Sequence, residues 1–328
     1  LNRVATPLGV LTTRASPASN QKPLLVPADR AGLLRLNVSQ VSNYKVRNTT
    51  LVLAAILVSV PATAQIPTPA SVLGFEPGAD FHLATYEESV EYFQLLDASS
   101  DRISMMRAGR TSEGRDWWIA LISSPENLSS VEQYRDIADK LAHPAELSDS
   151  EAQSLSLEGK AIVDVNGGLH ASEVAGAQHT IQLAYELVAD ESPRISAIRQ
   201  NVITVLWPSL NPDGQTMIAD WYSSNIGTPY EVSSMPWLYQ KYIGHDNNRD
   251  AYMLNMIESR VLARTWQEWD PQIIYVHHQS SPFPTRIWLP PFAEPIASFT
   301  PPIMARTVNT IGMTIAQMLE SRGMPGAV

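Results

Sequence analysis

Residues 161–179 read AIVDVNGGLHASEVAGAQH, and this stretch decides the fold that we expect for the chain. Its apolar beginning predicts a buried strand, and the pair Gly167–Gly168 predicts a sharp turn. An apolar-periodic pattern then predicts a helix over 171–188. His170 and Glu173 lie at the corner between the strand and the helix. Three residues apart at the opening of a helix, their side chains share one face and can converge on one ion.

The chain contains no cysteine, which excludes disulfides, thiolate metal sites and a cysteine nucleophile. The strong metal ligands that remain are His, Asp and Glu. A catalytic zinc ion takes three such ligands and keeps a fourth position for water. His170 and Glu173 supply two of them, so the sequence predicts a third ligand from elsewhere in the chain.

Length and composition indicate a folded, acidic protein. Of the 328 residues, 44% are hydrophobic and 17% are charged, so the chain can bury a sizeable core and is not generally disordered. The formal net charge is -10. Residues 1–64 hold seven of the 23 Lys and Arg residues but one of the 33 Asp and Glu residues. The remainder is strongly acidic, and we expect no nucleic-acid partner.

The N-terminal region has the features of an export signal. Arg47 precedes about ten largely apolar residues at 51–60, and small residues at Ala62 and Ala64 form a cleavage site. The alternative, a transmembrane helix, requires about 20 apolar residues, and Pro61 ends this run too early. We therefore expect cleavage near Ala64, no stable membrane anchor, and a secreted or periplasmic protein.

These features divide the chain into three parts. Residues 1–45 are predicted to be a non-native upstream extension, with the true start at Val46. Residues 46–64 are predicted to be a signal peptide, and residues 65–328 to form the folded domain.

Strand and helix patterns alternate along the folded domain, and Asn211-Pro212-Asp213-Gly214 predicts a turn. The alternation predicts an α/β fold with a mixed, mostly parallel, twisted sheet and helices on both faces. The predicted strands are 103–107, 117–123, 161–165, 201–207 and 271–276, and the predicted helices are 86–96, 131–141, 171–188, 252–269 and 303–319.

Sheets of this kind bind ligands at the carboxyl ends of their strands. His170 lies at such an end, and His277 and His278 follow the strand that ends near Val276. Neighbouring residues on a strand point to opposite faces, so only one of these two histidines can face a metal ion at this edge.

Four elements occur in an order that resembles the zinc carboxypeptidase family, the funnel-shaped metallopeptidases related to carboxypeptidase A. They are His170-x-x-Glu173, the NPDG segment at 211–214, Asp246-x-Asn248-Arg249, and a His at the end of a later strand. The segment GRTSEGR at 109–115 is similar to the family's stretch ahead of the zinc motif. The resemblance runs from about Leu73 to the end of the chain.

The resemblance implies a zinc carboxypeptidase-like catalytic domain over residues 65–328 that holds one zinc ion. It implies that His170, Glu173 and His278 bind this ion. His278 is preferred to His277 because the third ligand of similar relatives lies directly before a Gln.

The resemblance also implies how a peptide substrate is held. Asn248 and Arg249 match the family's pair that grips the terminal carboxylate, for which a planar guanidinium fork is well suited. Asp246 matches the residue that orients the first ligand His through its second ring nitrogen. The alternative for Arg249 is a surface arginine beside Asp250.

Two further roles of the family have no clear match. Lys241 lies in the region of the arginine that polarises the scissile carbonyl, and we do not assign it that role. The family's general-base Glu lies on a strand after the third His, whereas Glu294 lies in a Pro-rich segment and Glu320 on a predicted helix. We expect that the chain is truncated at its C-terminus and that the general base lies beyond Val328.

Several other residues suited to metal or ligand contacts are interpreted as structural. The isolated His82 and His143 are expected at the surface or at helix caps. His179 and His245 are expected to have structural roles. The tryptophans expected in the core or in a pocket wall are Trp117, Trp118, Trp207 and Trp288.

The sequence therefore predicts an exported zinc metallocarboxypeptidase that hydrolyses C-terminal peptide bonds with zinc-activated water. Two alternatives remain. One is a zinc-dependent amidohydrolase that acts on acyl-amino acids or on cell-wall peptides. The other is a non-catalytic exported homologue that binds zinc.

Overall fold

A computed structural model describes residues 66–240, 244, 246–279, 287–291 and 299–327. The predicted upstream extension at 1–45 and the signal peptide at 46–64 lie outside the described residues, and this division of the chain stays a prediction. Lys241, His245 and Glu294 lie outside the described residues as well.

A mixed sheet forms the centre of the described residues. Its strands are β1 (Ile103–Arg110), β2 (Asp116–Ile122), β3 (Ala161–Gly167), β4 (Val202–Leu206) and β5 (Ile273–His277). Their spatial order is β1-β2-β4-β3-β5. The pairs β1–β2 and β2–β4 are antiparallel, and β3–β4 and β3–β5 are parallel. The mixed α/β sheet is confirmed, and two of its four described strand pairs are parallel, rather than most of them. Strands β3 and β5 end at the same edge because they are parallel neighbours.

Helices surround this sheet. They are α1 (Pro69–Leu73), α2 (Tyr86–Ser99), α3 (Pro125–Ser129), α4 (Val131–Ala142), α5 (Asp149–Glu158), α6 (Val174–Ala189), α7 (Pro193–Asn201), α8 (Pro212–Asn225), α9 (Ile257–Trp269) and α10 (Pro302–Ser321). Short 3₁₀ turns lie at Pro144–Glu146 and Asn247–Arg249. In the described part of the chain, no helix combines the length and the apolarity needed to cross a membrane.

Both faces of the sheet are covered, as predicted. On one face, Phe93 of α2 and Ile181 of α6 pack in a core cluster with Ile122 of β2. On the other face, Val261 of α9 packs in a second cluster with Leu121 of β2. The two β2 residues are neighbours and therefore point to opposite faces. Burying one such side chain fully contributes about 1.5–3 kcal/mol.

The NPDG segment does not form the predicted turn but opens helix α8. The side chain of Asn211 accepts a hydrogen bond from Gly214 N at 2.9 Å and thereby caps the helix. Pro212 occupies the first helical turn, where its missing N–H costs no hydrogen bond. The same residue types that favour turns also favour helix starts, and here the apolar residues of α8 decide between them.

The helix predicted over 252–269 begins later, at Ile257. The Asp250 carboxylate accepts hydrogen bonds from the backbone amides of Asn255 (3.3 Å) and Met256 (2.8 Å). These bonds hold the chain in a loop ahead of α9, because an Asp side chain that binds nearby amides competes with helical hydrogen bonding.

The tryptophans differ in their positions. Trp117 and Trp207 are buried with ring centroids 5.0 Å apart, and Trp118 is half-buried. Trp288 is 62% exposed, which excludes the core, and its position in a pocket wall stays a prediction. It follows Ile287, which forms an isolated bridge with Ala327 at the surface.

Candidate metal centre

The end of β3 and the start of α6 approach each other so closely that the backbone requires glycine. A Cβ on Gly167 would lie 2.2 Å from the carbonyl oxygen of Gly176. Gly168 has φ +75°, a conformation that glycine adopts without strain. The predicted sharp turn is confirmed. It places His170 and Glu173 at the carboxyl edge of the sheet.

His170 and Glu173 are joined by a hydrogen-bonded turn. Glu173 N donates to His170 O at 2.9 Å, and His170 Nδ1 lies 2.7 Å from Glu173 Oε1. Glu173 is the N-cap of α6, with φ −86° and ψ 67°, and the helix begins at Val174 rather than at Ala171. The two side chains therefore meet through a turn and not through the shared face of a helix.

His278 completes a three-residue cluster. Its Nδ1 lies 2.9 Å from Glu173 Oε2, and its ring centroid lies 4.9 Å from that of His170. One ligand atom from each of the three residues lies within 4.8 Å of the others. The cluster joins the ends of β3 and β5, as expected for parallel neighbours.

His277, the neighbour of His278, has different contacts. Its Nδ1 lies 3.0 Å from the Tyr275 hydroxyl, and its ring centroid lies 4.5 Å from that of His179. Burial, and then the neighbouring His179 and His278, lower the pKa of His277 to about 4. Of the two adjacent histidines, the structure brings His278 to Glu173 and packs His277 against α6.

The donor set fits zinc. Two imidazoles and one carboxylate are a ligand combination that catalytic zinc sites use, and three ligands leave a position open. The described residues contain a second candidate group, formed by Asp139, His143 and Asp270. There Asp139 and His143 are exposed and paired at 3.0 Å, in keeping with the predicted surface position of His143.

Glu173 receives a further hydrogen bond from the backbone. Gln279 N donates to Glu173 Oε2 at 2.9 Å, and the Gln279 side chain accepts from Ala175 N at 3.1 Å. Burial alone raises the pKa of Glu173, but the hydrogen bonds from Gln279, His170 and His278 outweigh it and hold the pKa below its usual value. The carboxylate is therefore ionised at neutral pH.

Asp246 contacts the ring nitrogen of His170 that does not face Glu173. Its Oδ1 lies 2.9 Å from His170 Nε2 and accepts a hydrogen bond from Asn248 N, also at 2.9 Å. Burial raises the pKa of Asp246. The hydrogen bonds from Asn248 and His170 and the charge of Arg249 outweigh burial, so the net effect is a pKa below the usual value.

Asn248 and Arg249 lie in the 3₁₀ turn that follows Asp246. Asn248 is half-buried and lines a cavity of about 100 Å³, together with Leu169 and Val276. The Arg249 side chain is exposed. The 3₁₀ turn is linked to the cluster through Asp246, which contacts both Asn248 N and His170.

The backbone ahead of His170 is fixed by two asparagines. Leu169 O accepts hydrogen bonds from Asn247 Nδ2 at 2.6 Å and from Asn211 Nδ2 at 3.2 Å. The NPDG segment and the Asp246–Arg249 segment therefore meet at the residue next to the first histidine. Both segments carry the family resemblance in the sequence, but their supporting role at Leu169 could not be predicted from it.

A family model described as zinc carboxypeptidase matches residues 90–282, more than half of the chain. The chain belongs to the zinc carboxypeptidase family. The matched range contains all three residues of the cluster and the Asp246–Arg249 segment, and the resemblance found in the sequence is confirmed. No match was found among curated protein sequences.

Solved structures of zinc carboxypeptidase relatives are also similar. Carboxypeptidase A from Helicoverpa armigera is 17% identical with a TM-score of 0.48, covering 77% of this chain and 60% of that one. Thrombin activatable fibrinolysis inhibitor (TAFI) is 10% identical with a TM-score of 0.47, covering 79% and 62%. A metallo-carboxypeptidase from Burkholderia cenocepacia is 14% identical with a TM-score of 0.41, covering 61% and 42%. The chain spans less than two thirds of the length of each.

In this zinc carboxypeptidase chain, the GRTSEGR segment is anchored to the NPDG segment through Asp213. The buried Asp213 carboxylate accepts hydrogen bonds from Thr111 Oγ1 (2.8 Å), Glu113 N (3.2 Å) and Arg115 Nη1 (2.9 Å). A buried carboxylate needs such partners to remain stable. The sequence pattern predicted Asp213 as a turn residue. Its three hydrogen-bond partners lie about 100 residues earlier in the chain, and nothing in the local sequence indicated them.

Tyr239 is a further neighbour of the cluster that the sequence analysis did not name. Burial raises the pKa of Tyr239, and the charges of Asp246 and Glu173 raise it further. The hydroxyl is therefore protonated at neutral pH and can donate a hydrogen bond beside the cluster.

Proposed function

We propose that this protein is an exported zinc metallocarboxypeptidase that releases C-terminal residues from peptides. One observation carries the proposal: His170, Glu173 and His278 bring ligand atoms within 4.8 Å of one another in a chain of the zinc carboxypeptidase family. Two imidazoles and a carboxylate satisfy three positions of a tetrahedral zinc site.

The three residues would hold one zinc ion through atoms that already converge. Glu173 is ionised at neutral pH, which a carboxylate ligand requires. When zinc is bound, Asp246 would accept the Nε2 proton of His170, so that Nδ1, which faces Glu173 at 2.7 Å, would give up its proton and offer its lone pair to the ion. When bound, zinc polarises a carbonyl group and lowers the pKa of a water molecule toward neutrality.

Substrate orientation is assigned to Asn248 and Arg249. The Arg249 guanidinium is exposed and offers two parallel donors to a carboxylate, and the half-buried Asn248 amide adds another. A peptide whose terminal carboxylate lies at this pair would extend its last peptide bond toward the cluster. This arrangement favours removal of single C-terminal residues over cleavage within a peptide.

Export is proposed from the sequence of residues 46–64, which lie outside the described residues. The short apolar run and the small residues before Gln65 have the pattern of a cleaved signal. Mass spectrometry of protein recovered outside the cytoplasm tests this. A mature N-terminus at Gln65 supports export, and a secreted form that retains residues before Gln65 contradicts cleavage.

The experiment for the catalytic proposal combines metal analysis with two matched peptides. The purified chain, zinc-loaded and then dialysed, should contain one zinc ion per molecule. The full-length protein should release the last residue from a peptide with a free C-terminus but not from the same peptide with an amidated C-terminus. The variant His170→Ala should lose both zinc and release.

Two results would contradict the proposal in different ways. A wild-type chain that binds no stoichiometric zinc would refute the ligand assignment. A chain that binds zinc and cleaves free and amidated peptides equally would refute the carboxypeptidase specificity while leaving the metal centre intact.

A further inference from the structure

A second groove, larger than the Asn248 cavity, reaches the cluster. It has a volume of about 520 Å³, and its lining includes Ser172 and Gln279, which are sequence neighbours of Glu173 and His278. These residues follow His170 and His278 in the chain, whereas the residues lining the Asn248 cavity precede them. The groove and the Asn248 cavity therefore adjoin the cluster through different residues, and the two linings share none.

The position of the groove defines which part of a peptide it would hold. A substrate with its terminal carboxylate at Asn248 and Arg249 has its scissile bond at the cluster. The chain on the amino side of that bond must then leave in the other direction, past Ser172 and Gln279. This step rests on the proposed function.

The groove is acidic at its rim. Asp80 and Glu231 line it, and no Lys or Arg is found among the described residues that do so. The Glu231 carboxylate uses Oε2 to accept a hydrogen bond from Gly227 N at 2.7 Å, so this side chain is held in place. His82 also lines the groove, but two carboxylates without a lining Lys or Arg in the described residues give it a negative potential that favours a cationic ligand.

Aromatic side chains complete the lining. Trp221 and Tyr222 of α8 are half-buried in the groove wall. Phe81, next to Asp80, is 57% exposed and has a φ of 66°, a strained conformation for a residue with a side chain. An exposed aromatic ring beside a carboxylate suits Lys and Arg, because the ring can contact both their aliphatic part and their charge.

We propose that this groove binds the part of the substrate on the amino side of the scissile bond and favours Lys or Arg there. Asp80 and Glu231 supply the selectivity for charge, and the aromatic residues supply contact area. The substrate class is then a peptide with basic residues upstream of the residue that is removed.

Binding measurements test the proposal with three acetylated tetrapeptides. They share two C-terminal alanines and carry two Lys, two Gln or two Glu residues ahead of them. Calorimetry with the full chain, both zinc-loaded and zinc-free, gives the dissociation constants. We expect the Lys peptide to bind about tenfold more tightly than the Glu peptide, with the Gln peptide between them, because each partly exposed charge contact contributes modestly.

The double variant Asp80→Asn, Glu231→Gln identifies the source of this preference. It should reduce the ratio of the affinities for the Lys and Glu peptides to about twofold. The glutamine introduced at position 231 can still accept the hydrogen bond from Gly227 N, so the local fold is kept. The control variant Asp101→Asn, Glu146→Gln removes two exposed carboxylates outside the groove and should leave the ratio unchanged. Raising the salt concentration to 0.5 M should also reduce the ratio in the wild type.

The outcomes separate this inference from the proposed function. Equal affinities for the Lys and Glu peptides, a ratio that persists in the groove variant, or no binding of any peptide would overturn the inference. Binding with the expected ratio, but without release of the terminal alanine by the full-length protein, would support the groove and contradict the catalytic proposal. Release of the terminal alanine from all three peptides at equal rates, with equal affinities, would support the catalytic proposal and contradict the groove.

Discussion

Asp246 Oδ1 lies 2.9 Å from His170 Nε2, while the other ring nitrogen of His170 faces Glu173 at 2.7 Å. The same Asp246 oxygen accepts the backbone amide of Asn248. One carboxylate therefore connects the candidate zinc ligand to the turn that carries the candidate substrate-binding pair. A change at Asp246 is expected to affect metal affinity through the ring orientation and the tautomer of His170.

Replacing Asp246 should weaken zinc binding without removing a ligand. We expect Asp246→Ala to lower zinc affinity about 100-fold and Asp246→Asn about tenfold, because the Asn oxygen can still accept the Nε2 proton. Competition with a chromophoric chelator measures the affinities. Asp220→Asn, on an exposed carboxylate of α8, serves as the control and should bind zinc as the wild type does. Wild-type affinity in Asp246→Ala would exclude the orienting role.

The adjacent histidines should respond differently to the same substitution. His278→Ala removes a member of the cluster and should reduce zinc affinity by more than about 100-fold. His277→Ala should keep zinc but lose the contacts to Tyr275 and His179, at a cost of about 1–2 kcal/mol in the free energy of unfolding. Chelator competition and thermal unfolding measure the two effects. The reverse pattern would make His277 the ligand.

Arg249 should control the recognition of a free C-terminus. Arg249→Ala is expected to weaken binding of a peptide with a free carboxylate by about 10- to 100-fold, since a charge-assisted hydrogen bond contributes about 1.5–3 kcal/mol. Binding of the amidated peptide and of zinc should not change. Arg194→Ala, at an exposed position of α7, is the matched control. Equal losses for both peptides would mean that Arg249 does not contact the carboxylate.

The sheet could be predicted because its strands carry short apolar runs with clear bounds. The predicted strand at 117–123 is observed at Asp116–Ile122, and that at 201–207 at Val202–Leu206. Five of the ten helices in the described residues were not predicted, namely α1, α3, α5, α7 and α8. Helices α1 and α3 are five residues long, which is too short to show an apolar period. The sequences of α5 and α7 give weak apolar periodicity, and α8 begins with residues that also favour turns.

The candidate site could be predicted in part. His170 and His278 follow strands, and the general rule for strand ends is enough to place them at one edge. The contacts that support them could not be read from the sequence, because hydrogen bonds such as Thr111–Asp213 or Asn247–Leu169 join residues far apart in the chain. The sequence predicted that His170 and Glu173 converge because they share one face of a helix. In the structure they converge because a hydrogen-bonded turn joins them.

Asp164 in the middle of β3 has an environment that should make stability depend on pH. It is 1% exposed, and burial raises its pKa to about 6 although Trp207 Nε1 and Asn166 Nδ2 donate hydrogen bonds to it. In the unfolded chain the pKa is 3.8. Asp164 therefore favours the folded state below pH 3.8, and this contribution is lost as the pH rises to about 6, because the unfolded chain ionises first.

Asp164→Asn should remove this dependence. The Asn oxygen can accept the Trp207 hydrogen bond, and its amide can donate to Asn166 Oδ1, which is buried without a hydrogen-bond partner among the described residues. We expect the variant to match the wild type near pH 4 and to be more stable by about 2–3 kcal/mol at pH 7.5, from the difference between the two pKa values. Urea unfolding at pH 4, 5, 6 and 7.5 measures this difference. Asp101→Asn, at an exposed position, should show no such trend, and a constant difference across these pH values in Asp164→Asn would show that Asp164 is ionised in the folded protein throughout.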